Sequence, residues 1–264
     1  MHPGGDPPGR RGGLAQPAAV YDTADCSVRL SVLSQFLPKP QSAGYFDGWY
    51  ADQAATPAVA EIMNRYMGFP PDTRAGVVPV EAIPELTEEL RLRPGYILLD
   101  LACGRGAYGL LIAKQAGTTL IGVDFSAQAL TEAREQAARM GVSNANFRSG
   151  ELTATGLPDA SVEAVLCTDA IQFPDEPASA YEEIRRVLKS GGRVALTCWE
   201  PLDRNDERLS PRIRRANLGA GLRQAGFPAA GRNASSPRTR SWNSSRTSEP
   251  KPRIMPSVTA LARP

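Results

Sequence analysis

From Ile97 onward, short apolar runs alternate with longer segments in which apolar residues recur every three or four positions. The short runs predict five strands, at 97–102, 119–124, 145–149, 162–168 and 193–199. The longer segments predict helices at 107–116, 126–141, 176–189 and 215–226. Ser126 is suited to cap the second of these helices, and Gly141 is suited to end it. This alternation is typical of an α/β fold with a doubly wound, mostly parallel sheet.

The first part of the chain has no such alternation. Residues 1–20 are rich in Gly, Pro and Arg, and their composition predicts disorder. Helical spacing of apolar residues predicts helices at 24–37, 57–67 and 80–92. A dense aromatic cluster lies at 44–51. These helices have too little apolar surface to fold alone, so we expect residues 21–93 to form a helical lid over one end of the sheet.

The charge is unevenly distributed along the chain. Residues 228–264 hold seven basic side chains and one acidic side chain, which leaves 23 basic and 27 acidic side chains, a net charge of −4, in the rest. A mildly acidic globular part gives no reason to expect a nucleic-acid partner. The sequence shows neither an apolar run of membrane-spanning length nor the apolar centre of a signal peptide, so we expect no membrane partner. The four widely spaced cysteines indicate reduced thiols, no metal site and a cytoplasmic location.

A glycine-rich turn follows the first predicted strand directly. Gly104, Gly106 and Gly109 match G-x-G-x-x-G, a pattern that dinucleotide sites share, so the glycines alone do not distinguish NAD from S-adenosylmethionine. Asp100 ends the strand, where it would repel a pyrophosphate and attract the cationic amino group of S-adenosylmethionine. Asp124 ends the next strand, where it can accept hydrogen bonds from both ribose hydroxyls. Capping of the following helices is the alternative role for both acids.

Four stretches together point to one family: LLDLACGRGAYG (98–109), GVDFS (122–126), SGELTATGLPDASVEAVLCTDAIQF (149–173) and YEEIRRVLKSGGRVALTCWEP (181–201). They resemble the class I S-adenosylmethionine-dependent methyltransferases, in particular the small-molecule group that includes ubiquinone- and menaquinone-biosynthesis enzymes. The last stretch is the most specific, because a basic helix that ends in a Gly-Gly turn before the fifth strand is a habit of that family rather than of dehydrogenases. YFDGWYA (45–51) is also similar to actinomycete secondary-metabolite members.

The resemblance implies a Rossmann-like fold, with residues 94–227 as a domain that binds S-adenosylmethionine. The implied contacts to the methionine moiety are Asp100, Ala102, Cys103, Gly104 and Gly106. The implied contacts to the rest of the cofactor are Asp124 at the ribose, Phe125 and Ser126 beside the adenosine, Glu151 and Leu152 at the adenine edge, and Thr168 and Asp169 at the sulfonium end. The family more often has Asp at the position of Glu151.

The activity that the resemblance implies is methyl transfer, by in-line displacement, to a small-molecule acceptor such as a secondary metabolite. The chain's only histidine is His2, and Ile171 and Gln172 stand where related enzymes often carry a histidine. Asp169, Glu200 and Tyr50 remain as candidate catalytic bases, and Gln172 is suited to orient a substrate.

Three of the acidic or aromatic candidates have ordinary structural alternatives. Tyr45 and Tyr50 are suited to close the cofactor in, and ordinary helix packing is the alternative for both. For Glu200, which follows the predicted fifth strand, the alternative to a catalytic role is an acid exposed to solvent, and this is what we expect. An NAD(P)-dependent oxidoreductase is disfavoured by Asp100 and by the lack of a Tyr-x-x-x-Lys pair after the fourth strand.

The C-terminal tail departs from the family pattern, in which two further strands, one of them antiparallel, follow the last helix. Residues 228–264 show no strand periodicity, so we expect a disordered basic tail, missing last strands and an unpaired edge on the fifth strand. A shifted reading frame would produce such a Pro-, Arg- and Ser-rich segment, and we hypothesise this origin for it. A catalytically impaired relic of the family is the alternative function that the tail suggests.

Overall fold

The structure is a computed structural model that describes residues 42–55, 57–70, 73, 78–201, 203–207, 209–228, 231–233 and 254–262. The disorder predicted for residues 1–20 and the helix predicted at 24–37 lie outside the described residues. Within the described part of the chain, no helix is long and apolar enough to cross a membrane.

A twisted sheet forms the centre of the molecule. Its strands are β1 (Ile97–Leu101), β2 (Thr119–Asp124), β3 (Ala145–Ser149), β4 (Val162–Thr168), β5 (Leu188–Pro201), β6 (Gly231–Asn233) and β7 (Ile254–Ala262). Their order in the sheet is β3-β2-β1-β4-β5-β7-β6. The first five strands are parallel, which confirms the predicted doubly wound α/β fold. The strand order reverses between β1 and β4, and open sheets of this kind bind ligands at that point.

Helices cover both faces of the sheet. They are α1 (Ala43–Ala55), α2 (Pro57–Tyr66), α3 (Ala82–Leu90), α4 (Ala107–Ala116), α5 (Ala127–Met140), α6 (Pro177–Val187), α7 (Pro211–Arg215) and α8 (Leu218–Gln224). Ser126 caps α5 as predicted, because its Oγ accepts a hydrogen bond from the Ala129 amide at 3.1 Å. Gly141 ends the same helix in the left-handed conformation, with φ of 68°.

One predicted helix, at 215–226, is divided in the structure. The reason is Asn217, whose side-chain oxygen accepts a hydrogen bond from the Ala220 amide at 3.0 Å and so caps α8. The residues before this cap belong to the separate short helix α7.

Two apolar layers enclose the sheet. Successive residues of β1 point to opposite faces, as strand geometry requires. Leu98 packs in one cluster with Leu110 and Ile112 of α4, whereas Leu99 packs in the other cluster with Ile184 of α6. Burial of β1 on both faces explains why it is a nearly continuous apolar run in the sequence.

The C-terminal strands correct an expectation from the sequence. The last strands are present, because β7 pairs antiparallel with β5 and β6 pairs antiparallel with β7. The edge of β5 is therefore paired, and the expected open edge was wrong. The register shifts between the Cys198–Val258 and Glu200–Met255 pairs, so Pro256 lies in a bulge. A bulge tolerates a proline, which has no N–H to donate. Because proline is rare inside strands, Pro256 makes this segment look unlike a strand in the sequence.

Candidate functional site

Two adjoining cavities open where the strand order reverses. The outer cavity has a volume of about 760 Å³ and extends along the loop after β3. The inner cavity has a volume of about 310 Å³ and lies between α1 and the ends of β1 and β4. Residues that line both cavities are Phe46, Ala102, Asp124, Phe125, Leu152 and Phe173. The shared walls make the two cavities a single site of a size that suits a small-molecule ligand.

The glycine loop between β1 and α4 forms the floor of the inner cavity. Ala102, Gly104 and Gly106 all have positive φ, of 56°, 51° and 76°. Gly104 is required here for a second reason, since a Cβ atom at this position would lie 2.7 Å from the hydroxyl of Tyr50. The loop therefore exposes bare backbone to the cavity, as a closely approaching ligand needs.

Asp124 connects this loop to the N-terminus of α5. Its Oδ2 accepts a hydrogen bond from the Gly104 amide at 2.8 Å, and its Oδ1 accepts one from the Ser126 amide at 2.9 Å. Burial raises the pKa of the Asp124 carboxyl above its usual value. The side chain lines both cavities, and a carboxylate with about four acceptor positions can still bind ligand hydroxyls.

Asp100 lies below the loop and not on either cavity wall. Its side chain is 1% exposed, and its Oδ2 accepts a hydrogen bond from the Gly109 amide at 3.1 Å. Its Oδ1 is buried and has no hydrogen-bond partner among the described residues. Burial raises the pKa of this carboxyl to about 7. Helix capping thus accounts for one oxygen, and the other remains available to a hydrogen-bond donor or a cation.

Asp169 is an acid at the end of β4 and on the wall of the inner cavity, beside Thr168. Its φ of 52° is unusual for a residue with a side chain, and such strain is common at functional sites. Its Oδ1 accepts a hydrogen bond from Gln172 Nε2 at 3.0 Å, and Trp199 also bonds to the carboxyl. Burial raises the pKa of Asp169 to about 6 despite these bonds. Gln172 is buried behind Asp169, so it orients this acid rather than lining the cavity.

The other predicted residues are divided between wall and support. Those on the wall are Ala102, Cys103, Gly104, Phe125, Glu151, Leu152, Thr168 and Tyr50. Gly106, Ser126 and Tyr45 are not on either wall. Ser126 supports the site by capping α5, and Tyr45 is 41% exposed on α1.

Arg105 is a functional candidate that the sequence analysis missed. It lies in the glycine loop with only 6% exposure, and its Nε is 2.9 Å from Glu132 Oε2. Its Nη1 donates to Gln53 Oε1 at 2.8 Å, and its Nη2 donates to the Tyr50 carbonyl at 3.1 Å. The guanidinium also lies 4.9 Å from the centre of the Tyr50 ring. Arg105 therefore ties the glycine loop to α1.

Asp47 gives α1 a second attachment. Its Oδ1 accepts hydrogen bonds from Ser126 Oγ at 2.5 Å and from the Gln128 amide at 3.2 Å. These donors lie at the N-terminus of α5, where a negative charge is favoured. Together with Arg105, this contact holds α1 over the loop, with Tyr50 above Gly104.

Comparison with known proteins agrees with this geometry. Residues 99–196 match the family described as "Methyltransferase domain". Nocamycin O-methyltransferase of Saccharothrix syringae is 34% identical over 108 residues, which are 40% of this chain and 38% of that protein. Arsenite methyltransferase of Halobacterium salinarum is 33% identical over 108 residues, which are 40% of this chain and 28% of that protein. The matched part thus spans less than two fifths of either relative.

Among solved structures, that of the [4+2]-cyclase SpnF is similar, with a TM-score of 0.54 and 26% identity over 64% of this chain and 65% of that chain. The sheet order, the loop and the matched family together show that residues 99–196 form a class I S-adenosylmethionine-dependent methyltransferase domain. The methyltransferase family predicted from the sequence is thus confirmed for these residues, and S-adenosylmethionine is the cofactor of that family. An oxidoreductase is not favoured.

Proposed function

We propose that this chain transfers a methyl group from S-adenosylmethionine to a small-molecule acceptor, and specifically to a secondary metabolite. The observation that carries the proposal is a glycine loop and an acid at the ribose position that meet at one cavity, with an unpartnered carboxylate oxygen of Asp100 buried beneath the loop. Similarity to nocamycin O-methyltransferase supports a small-molecule acceptor.

The residues of the site fit the cofactor by chemistry. We assign the adenosine to the outer cavity, against Phe125, Glu151 and Leu152. The apolar side chains suit the faces of the purine ring, and the polar side chain suits its hydrogen-bonding edge. Asp124 would bind the ribose hydroxyls. The unpartnered Oδ1 of Asp100, beneath the glycine loop, would attract the cationic amino group through a bridging water molecule, since a buried acceptor without a partner is costly.

The bound cofactor supplies a methyl group that is attached to a positively charged sulfur, and a nucleophile takes this methyl group by in-line displacement. The chain's own residues position the acceptor and exclude water, and α1 performs both tasks by covering the inner cavity. Asp169 is our candidate general base: its pKa of about 6 leaves it ionised at neutral pH. Burial raises the pKa of Tyr50, so this residue stays protonated and serves as a hydrogen-bond donor.

Calorimetric titration with S-adenosylhomocysteine and, separately, with NAD tests the cofactor assignment. We expect heat with the first ligand only. The Asp124→Ala variant should lose this binding, and Glu135→Gln, which removes the charge of an exposed acid on α5, should retain it. Binding of NAD alone would refute the proposal. Binding of S-adenosylhomocysteine without methyl transfer to any compound of a pooled extract would support the impaired relic instead.

A further inference from the structure

Six aromatic side chains are among the described residues that line the inner cavity. Tyr108 is one of them, and the other five form an aromatic wall: Phe46, Trp49, Tyr50, Phe125 and Phe173. Phe46 is the centre of this aromatic wall, with its ring centroid 5.5 Å from those of both Phe125 and Phe173. The Trp49 and Tyr50 rings lie 4.9 Å apart in an edge-to-face arrangement. These distances are those of favourable aromatic pairs, so the rings hold one another in place.

Three of these rings come from one face of α1. Phe46, Trp49 and Tyr50 have i, i+3 and i+4 spacing, which places their side chains next to one another on a helix. Trp49 is nevertheless 43% exposed. A large ring that lines a cavity and remains half in solvent gains further burial when a flat apolar ligand enters.

Acidic groups dominate the charge around the aromatic wall. Asp124 and Asp169 line the inner cavity, and Glu151 and Asp175 line the outer one. Asp124 already accepts backbone hydrogen bonds from the glycine loop. Because Asp124 is also assigned to the ribose hydroxyls of the cofactor, Asp169 is the acid of the inner cavity that is left to receive a polar group of the acceptor.

No cation on the described walls is available to an anionic ligand. Arg105, the basic residue among the described lining residues, is engaged with Glu132, Gln53 and the Tyr50 carbonyl. Arg212 lies 4.1 Å above the ring of Phe173, on neither wall, and its charge already acts on the Asp169 carboxyl, whose pKa it lowers. A phosphate or carboxylate would meet the lining acids and compete with Asp169 for the charge of Arg212, which is unfavourable in a partly dry cavity.

We infer that the acceptor is a planar, aromatic small molecule without phosphate or carboxylate, held by the aromatic wall with a hydroxyl or amino group toward Asp169. This inference rests on the proposed function and narrows its acceptor. In each turnover the acceptor gains one methyl group, and its oxygen or nitrogen loses one proton to the Asp169 carboxylate, which passes it to solvent. The cofactor leaves as S-adenosylhomocysteine, so atoms and charge balance.

Three probes of similar size separate the elements of this inference: 2-naphthol, its saturated analogue decahydro-2-naphthol, and 2-naphthyl phosphate. Each is titrated calorimetrically into protein saturated with S-adenosylhomocysteine. We expect 2-naphthol to bind about tenfold more tightly than either other probe, the effect of a good aromatic contact. Equal binding of the saturated probe, or preferred binding of the phosphate, would overturn the inference.

Two substitutions on the same helix provide a matched comparison. Trp49 and Tyr45 are similarly exposed, at 43% and 41%, but only Trp49 lines the cavity. Trp49→Leu should weaken 2-naphthol binding about tenfold, and Tyr45→Leu should leave it unchanged. Both variants should bind S-adenosylhomocysteine as the wild type does, which shows that they are folded. Equal effects of the two substitutions on 2-naphthol would contradict the inference, whereas failure of wild-type protein to bind S-adenosylhomocysteine would refute the proposed function itself.

Discussion

Asp100→Asn is expected to stabilise the ligand-free protein at alkaline pH while it weakens cofactor binding. Burial raises the pKa of Asp100 from 3.8 to about 7, so the folded state keeps a proton that the unfolded state loses near pH 4. Stability therefore falls as the pH rises from about 4 to about 7. The pKa difference of about three units, at about 1.4 kcal/mol per unit, lowers the free energy of unfolding by roughly 4 kcal/mol above pH 7.

Asparagine cannot ionise, so the variant avoids the loss of unfolding free energy that ionisation of the buried Asp100 carboxyl causes in the wild type. Its side-chain oxygen can still accept the hydrogen bond from the Gly109 amide. Its amide nitrogen takes the place of the unpartnered Oδ1, at a cost of about 1–3 kcal/mol. The net gain in unfolding free energy at pH 8 is then about 1–3 kcal/mol. At pH 5 most of the advantage is absent, because the folded wild type is protonated there.

Urea unfolding of both proteins at pH 5, 6, 7 and 8 measures this difference. We expect the advantage of Asp100→Asn to grow by about 3 kcal/mol between pH 5 and pH 8. Titration with S-adenosylhomocysteine at pH 8 should show weaker binding, since the amide offers no negative charge to the cationic amino group. Glu135→Gln, at an exposed site, should follow the wild type at every pH. A difference that stays constant with pH, or a variant less stable at pH 8, would refute the reasoning.

Three further substitutions test buried contacts of the fold by urea unfolding. Arg105→Met should destabilise by about 3 kcal/mol, because it breaks a buried ion pair with Glu132. Gly221→Ala should destabilise by about 1–3 kcal/mol, because the new methyl group would lie 2.3 Å from the ring of Tyr181. Glu183→Gln should lower the free energy of unfolding by about 2 kcal/mol at pH 7, because Glu183 accepts charged hydrogen bonds from an arginine. These bonds lower the pKa of the Glu183 carboxyl. The difference should therefore vanish at acid pH, where the carboxyl of the wild type is protonated.

Each of these substitutions has its own control. Gly44→Ala places a methyl group in α1 with no atom within 4 Å, so it should be neutral or stabilising where Gly221→Ala is harmful. Adding Glu132→Gln to Arg105→Met should recover part of the loss, and additive losses would show that the pair is not coupled. A cost of Glu183→Gln that persists at acid pH would assign it to packing instead of charge.

The sequence was sufficient to predict the parallel strands of the sheet and the glycine loop that forms the floor of the site. β1 and β4 are buried on both faces, so each is a continuous apolar run that ends at the residues of the site. Asp124 and the glycine loop could be located because strand, turn and helix follow one another locally. These features depend on neighbours in the chain, and periodicity reports such neighbours directly.

Features that depend on distant contacts could not be predicted in the same way. Arg105 is buried only because Gln53 and Glu132 reach it from other helices, whereas a lone arginine in a loop indicates exposure. Gln172 bonds to Asp169, not to the cavity, and no spacing rule distinguishes these outcomes. The bulge at Pro256 similarly concealed β7, which only its pairing with β5 defines.

The pairing of β5 with β7 also has a consequence for synthesis on the ribosome. β7 begins about fifty residues after β5 ends, and at roughly 5–20 residues per second the ribosome needs about 3–10 seconds to make that stretch. During this time β5, the longest of the described strands, has one side without its final partner. The speed of translation through residues 202–253 therefore sets how long a nascent chain can pair wrongly with a neighbouring one.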